Sequence, residues 1–172
     1  WLAAWVAPRQ ARCALVAGAA AHLLAMTARG WAIGFFPLTN KMESLSTAAL
    51  ALAIVAAAAW RPSRWFALPM LALTLAAMVA ALRFPLDLAF PPPLMRTVWY
   101  PIHVPLAFFA YALWSAAAAA GLAWAFGRDP EWMRCLDRWA LWGFGLWSLS
   151  MIAGSVWGVL AWGAYFLWDP KV

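Results

Sequence analysis

Apolar residues do not alternate along this chain; they run on without interruption. Five stretches, roughly Arg12–Ala28, Leu45–Trp60, Trp65–Leu82, His103–Phe126 and Trp139–Leu160, are nearly free of charge. Each approaches or exceeds the length that crosses the hydrocarbon of a bilayer. Polar and helix-breaking residues collect between them: Gly30–Ser44, the turn Arg61-Pro-Ser-Arg64, and the proline-rich Phe84–Pro101. The pattern predicts an all-α fold, a polytopic transmembrane helix bundle of about five spans. Strands are excluded because an unpaired sheet edge cannot face lipid. The second run is short for a span, so its helix is expected to start within Asn40–Ser44 or to sit where the membrane is thin. Thr39 or Asn40 as N-cap, with Glu43 three or four residues on, fits a capping arrangement at that start. The opening Trp1–Ala7 is apolar but too short to cross.

Composition strengthens this reading. Hydrophobic residues make up 67% of the chain and charged residues 10%, more apolar than a soluble core requires. The chain begins at Trp1 without an initiator methionine or the layout of a signal peptide, and it ends shortly after Trp168. It is therefore expected to be one membrane domain, 1–172, and an incomplete one, part of a longer protein.

Charge then orients the bundle. With the start of the first span inside, the inner side carries Arg9, Arg12, Arg61, Arg64, Arg128, Arg134 and Arg138. The outer side carries Arg29, Lys41, Arg83, Arg96 and Lys171. The excess inside is modest, and the short Arg61–Arg64 turn is its best single marker. The net charge of +6 reports topology and contact with the lipid bilayer; no basic cluster points to nucleic acid. Parity adds a stronger statement. The fourth and fifth helices form a hairpin, so the start of one and the end of the other share a side. His103 and the tract Trp157–Asp169 are thus expected on one face, with both long polar loops.

That tract is the most distinctive segment. If Gly158–Trp168 is helical, Gly158, Ala161, Trp162, Tyr165, Trp168 and Asp169 fall on one face at 3–4 spacing. Small residues there would let a flat ligand approach the backbone, and the indole and phenol rings supply a broad π-surface with polar edges. A porphyrin suits such a face. An interfacial aromatic belt suits it too. His103 at the entrance of an apolar helix is the best candidate for an axial ligand to haem iron, the other reading being an interfacial histidine hydrogen-bonded to a loop carbonyl. His22 lies ten residues past Arg12, roughly 15 Å along a helix, which places it near mid-bilayer. Ionisable groups at that depth are costly and usually functional. Two roles remain open for it: a haem ligand, or a hydrogen bond to a neighbouring helix. Asp169 fits as an anchor of the tract, and Arg96 as a partner for a haem propionate or a lipid phosphate.

The order Trp157-x4-Trp162-Gly-x-Tyr165-x-x-Trp168-Asp169-Pro-Lys171 resembles the tryptophan-rich WWD signature of haem-handling proteins. Its ending is similar to the CcsA/ResC branch of cytochrome c biogenesis proteins. Pro37-Leu-Thr-Asn40-Lys-Met-Glu43-Ser44-Leu45 resembles a second stretch of that family, with Met42 where the family usually carries an aromatic residue. His103 resembles the family's extracytoplasmic histidine. The three matches are collinear over nearly the whole chain.

The resemblance implies haem b as cofactor, bound by His103 at the iron and by Trp157, Trp162, Tyr165, Trp168 and Asp169 around the ring, with His22 as a further candidate. It implies transport and presentation of haem for covalent attachment to apocytochrome c. It also implies a second membrane biogenesis subunit, ResB/CcsB-like, and a bacterial inner membrane with the haem site facing outward. Any synthase activity would belong to the complete assembly.

Other chemistries find no support. Cys13, near one end of the first span, and Cys135, read as lying in the loop between the fourth and fifth spans, form no Cys-x-x-Cys pair, and there is no Cys-x-x-Cys-His. No hydrolase motif is present. A membrane b-type cytochrome would want paired histidines deep in facing helices. The reading from a different class is a cofactor-free multi-span transporter or scaffold whose 15 tryptophans are interfacial anchors.

Overall fold

A computed structural model describes residues 8–165. Five α-helices follow one another: α1 Pro8–Ile33, α2 Lys41–Ala58, α3 Arg64–Ala81, α4 Trp99–Gly127 and α5 Glu131–Trp162. A single 3-10 turn, Pro93–Met95, interrupts the long loop before α4. All five helices are long and apolar enough to cross a membrane, and the described residues contain no strand. The chain is an integral membrane protein.

The helix starts and stops follow local chemistry. Asn40 caps α2 by accepting a hydrogen bond from the Glu43 amide at 2.9 Å, so the second helix does start within the polar segment. The α4–α5 connection is only Arg128–Pro130, where Arg128 adopts φ 58° and Asp129 accepts from the Glu131 amide at 2.9 Å. Cys135 therefore lies inside α5 and is fully buried, not in a loop. The apolar run that begins at Trp139 is preceded by two helical turns in which Glu131, Arg134, Asp137 and Arg138 alternate with apolar residues, which is why hydropathy alone makes the connection look longer.

Alanine decides the packing. Ala49, Ala51, Ala53, Ala56 and Ala57 of α2 and Ala110, Ala112, Ala116, Ala119, Ala120 and Ala123 of α4 are buried. Small side chains let transmembrane helices approach closely where lipid provides no hydrophobic drive to association. Helices α2, α3 and α4 pack mutually; α5 lies along α4, and α1 lies on α2. Phe66, Met70, Trp132 and Cys135 fill the space that the alanines leave. Leu24, Leu75, Leu141 and Ile152 are among the large apolar side chains on the outer surface. In a soluble protein they would be a liability; in a bilayer they face lipid.

The α4–α5 hairpin is keyed by three glycines. A Cβ on Gly154 would stand 2.6 Å from the His103 ring, one on Gly143 2.6 Å from the Trp114 ring, and one on Gly121 3.2 Å from Leu136. Each pair is equally distant from the Arg128–Asp129 turn, so the glycines set the antiparallel register of the two helices.

Candidate functional site

His103 sits in the second turn of α4, and its ring lies in the notch above Gly154 of α5. Nδ1 is 2.8 Å from the Ser150 carbonyl oxygen and 3.0 Å from the Ser150 hydroxyl. That hydroxyl donates to the His103 carbonyl at 2.9 Å. A carbonyl oxygen can only accept, so Nδ1 carries a proton, and the neutral tautomer that fits this contact has its lone pair on Nε2. Among the described residues nothing hydrogen-bonds Nε2. Within α5 the Ser150 carbonyl serves the helix and uses its second lone pair for imidazole. A ring can reach it from the side only because residue 154 has no side chain.

One turn further along α5, Trp157 lies beside the histidine, with ring centroids 6.3 Å apart and planes 19° from parallel. Its indole N–H donates to the Leu94 carbonyl at 2.8 Å, which ties the 3-10 turn to α5. Tyr100 packs on Trp157 at 5.0 Å and donates to the Leu38 carbonyl at 2.8 Å. Trp162 meets Trp157 edge-on at 4.7 Å and is 44% exposed. Four aromatic or heteroaromatic rings thus gather at one end of the bundle, held by carbonyls from both loops. Tyr100 also lines an adjoining cavity of about 470 Å³ whose cation is Lys41.

The loops themselves are anchored by a buried ion pair. Glu43 is fully buried and accepts from Arg29 Nε at 2.7 Å; its other oxygen accepts from the Thr39 amide and hydroxyl, each at 2.7 Å. The rest of the Arg29 guanidinium donates to the carbonyls of Leu86, at 2.8 Å, and Asp87. Glu43 therefore reaches past the capping role and fastens both long loops together. A carboxylate taken out of water requires this full set of partners.

The tryptophan tract departs from the helical face expected of it. Helix α5 ends at Trp162, and Gly163 takes φ 74°, a left-handed conformation suited to glycine. The chain then folds back, so that a Cβ on Gly158 would meet the Ala164 carbonyl oxygen at 3.0 Å and that of Tyr165 at 3.6 Å. Gly158 thus accommodates the chain's own turn, and Tyr165, 72% exposed, leaves the face of Trp162. Trp168, Asp169 and Lys171 lie outside the described residues.

His22 is not drawn into this cluster. Its Nε2 is 2.7 Å from the Ser46 hydroxyl, joining α1 to α2. Arg96 donates Nε to the Pro91 carbonyl at 2.9 Å, steadying its own loop. No group of three or more His, Cys, Asp or Glu side chains is placed to hold a bare metal ion among the described residues.

Sequence reasoning missed Ser150, Gly154, Tyr100 and Arg29. A usable signal existed for two of them: Ser150, Gly154 and Gly158 recur at four-residue spacing, a stripe of small residues that marks where another helix comes close.

Comparison with known proteins assigns this architecture. The family described as Cytochrome C assembly protein matches residues 17–172. A cytochrome c biogenesis protein CcsA from Adiantum capillus-veneris is 42% identical over 48 residues, covering 26% of this chain and 15% of its own. A CcsA from a Synechococcus strain is 26% identical over 85% of this chain and 64% of its own. A cytochrome c-type biogenesis protein CcmF from Pseudomonas aeruginosa is 30% identical over 45% of this chain and 12% of its own. The chain spans less than two thirds of each of these relatives.

Proposed function

The chain belongs to the cytochrome c assembly protein family, and from that premise we propose that it holds haem b at one membrane face and presents it for covalent attachment to apocytochrome c. The observation that supports this reading most is the state of His103. Its Nδ1 proton is committed to Ser150, and its Nε2 lone pair has no hydrogen-bond partner among the described residues. An imidazole oriented through one nitrogen is the usual arrangement of a metal-ligating histidine. Haem iron needs one or two such axial donors. Trp157 and Trp162 supply aromatic faces and edges beside it, and Lys41 and Arg96 are cations at the same end for carboxylates of the cargo.

In this reading Trp168, Asp169 and Tyr165 extend the site from the segment after α5. His22 is a second candidate ligand, one that would have to give up Ser46 to bind iron. The haem-bearing end faces out of a bacterial inner membrane, and a second membrane subunit of the ResB/CcsB type completes the attachment machinery.

The test uses the full-length protein purified with its haem. His103→Ala is expected to shift the haem absorption spectrum and lower cytochrome c yield, with partial recovery on adding imidazole. Unchanged spectrum and yield would reduce His103 to an interfacial anchor. Trp157→Leu combined with Trp162→Leu is expected to weaken haem retention by about five- to 140-fold, from about 0.5–1.5 kcal/mol for each of two aromatic contacts. Leu160→Ala, on the outer surface of the same helix, is the control; an equal loss there would mean that only helix stability was changed.

A further inference from the structure

At the end of the bundle opposite His103, a cavity of about 500 Å³ opens between the last turn of α2 and the flanks of α4 and α5. Trp60, Arg61, Leu113, Arg138, Trp139 and Trp142 form most of its wall. Three features there point to a ligand. The Trp60 indole nitrogen is buried and has no acceptor among the described residues. A buried donor in that state calls for an acceptor beyond the described residues. Arg138 forms no ion pair among the described residues, and its guanidinium reaches only Cys135 Sγ, at 3.6 Å. Arg61 meets Glu131 at 3.3 Å, and Glu131 is also engaged by Arg134. The residues lining the cavity include two guanidinium groups, Arg61 and Arg138, and no carboxylate, so its wall is cationic.

Depth supplies the remaining argument. Arg138 immediately precedes the apolar run of α5 that begins at Trp139, and Trp60 closes the apolar run of α2. The cavity thus stands at the level where hydrocarbon gives way to headgroups. Trp142, largely exposed, continues its wall toward the lipid-facing surface. No histidine, methionine or cysteine lines it, so it offers nothing to haem iron.

We propose that this cavity is a binding site for an anionic phospholipid. The phosphate accepts from Arg138, Arg61 and the Trp60 indole, and an acyl chain lies over Leu113 and Trp142. Basic pockets between transmembrane helices select anionic headgroups by charge, and tryptophan suits the boundary they occupy. Such a lipid bridges α2 and α5, whose packing is otherwise relayed through α4.

Full-length protein reconstituted in phosphatidylcholine should bind added phosphatidylglycerol, read by native mass spectrometry. Arg138→Gln is expected to weaken that binding about fivefold, the effect of one basic residue at an anionic surface. Trp60→Phe, which keeps the ring and removes only the N–H, is expected to weaken it as well and guards against misfolding of the arginine variant. Arg83→Gln removes the same charge at the opposite end and is expected to leave binding unchanged. Arg138→Gln and Trp60→Phe both binding like Arg83→Gln would overturn the site. So would displacement of the lipid by equimolar inorganic phosphate, or equal retention of phosphatidylcholine.

Discussion

Two notches on α5 receive rings from α4 by the same device, and they end in different chemistry. At Gly143 the Trp114 ring drops onto the backbone and its indole N–H donates to the Ala140 carbonyl at 3.3 Å. At Gly154 the His103 ring does the same and donates to the Ser150 carbonyl at 2.8 Å. Packing, register and the use of a helix carbonyl's spare lone pair are shared. The rings are not. Indole has one nitrogen and is finished once it donates; imidazole has two, and the second emerges with its lone pair unspent. A contact that is purely structural in mid-helix becomes a candidate ligand site one ring type away.

The comparison can be broken most forcefully at the glycines. Gly143→Ala and Gly154→Ala each place a Cβ 2.6 Å from ring atoms, so each is expected to destabilise the hairpin by about 1–3 kcal/mol through overpacking. Thermal melting in detergent should show two similar losses. Haem spectra should separate them, with Gly154→Ala altering axial ligation and Gly143→Ala leaving it alone. If both variants change the spectrum alike, the His103 notch has no special role.

A smaller effect is expected from Trp114→Phe, which keeps a ring in the notch and removes the donor. The loss should be about 1 kcal/mol, the typical net value of such a hydrogen bond, with haem binding unchanged. A haem defect in this variant would show that the two notches act as one unit. The smallest effect belongs to Ser150→Ala. The backbone carbonyl that orients His103 survives that change, and the hydroxyl's contacts with the His103 carbonyl and Nδ1 are lost. About 0.5 kcal/mol of stability is expected to go, with the haem spectrum near native. A large spectral change would mean that the hydroxyl, not the carbonyl, sets the tautomer.

Much of the architecture is legible in the order of residues. The five apolar runs match five helices because a backbone in hydrocarbon must satisfy its hydrogen bonds internally, which leaves little choice. The start of α2 can be read from Asn40 and Glu43, since capping is a contact between near neighbours. The end of α5 is harder to read. Spacing alone carries the helix through Trp168, whereas Gly163 breaks it; glycine tolerates both a helical and a left-handed conformation, and the choice rests on what the following residues pack against. The partners of Glu43 are equally hidden. Arg29 lies on another helix, and its remaining bonds go to Leu86 and Asp87 in a distant loop.

The sequence by itself determined the helical membrane class, the span count, the common side of His103 and Trp157, and the family resemblance, because each depends on composition, order or parity along one dimension. Tertiary structure alone decided that His103 keeps a lone pair, that Gly154 is the gap letting it do so, and that Gly158 receives the chain's own return. Those outcomes depend on which backbone carbonyl a side chain from another helix can reach, and that distance is set only when the helices pack.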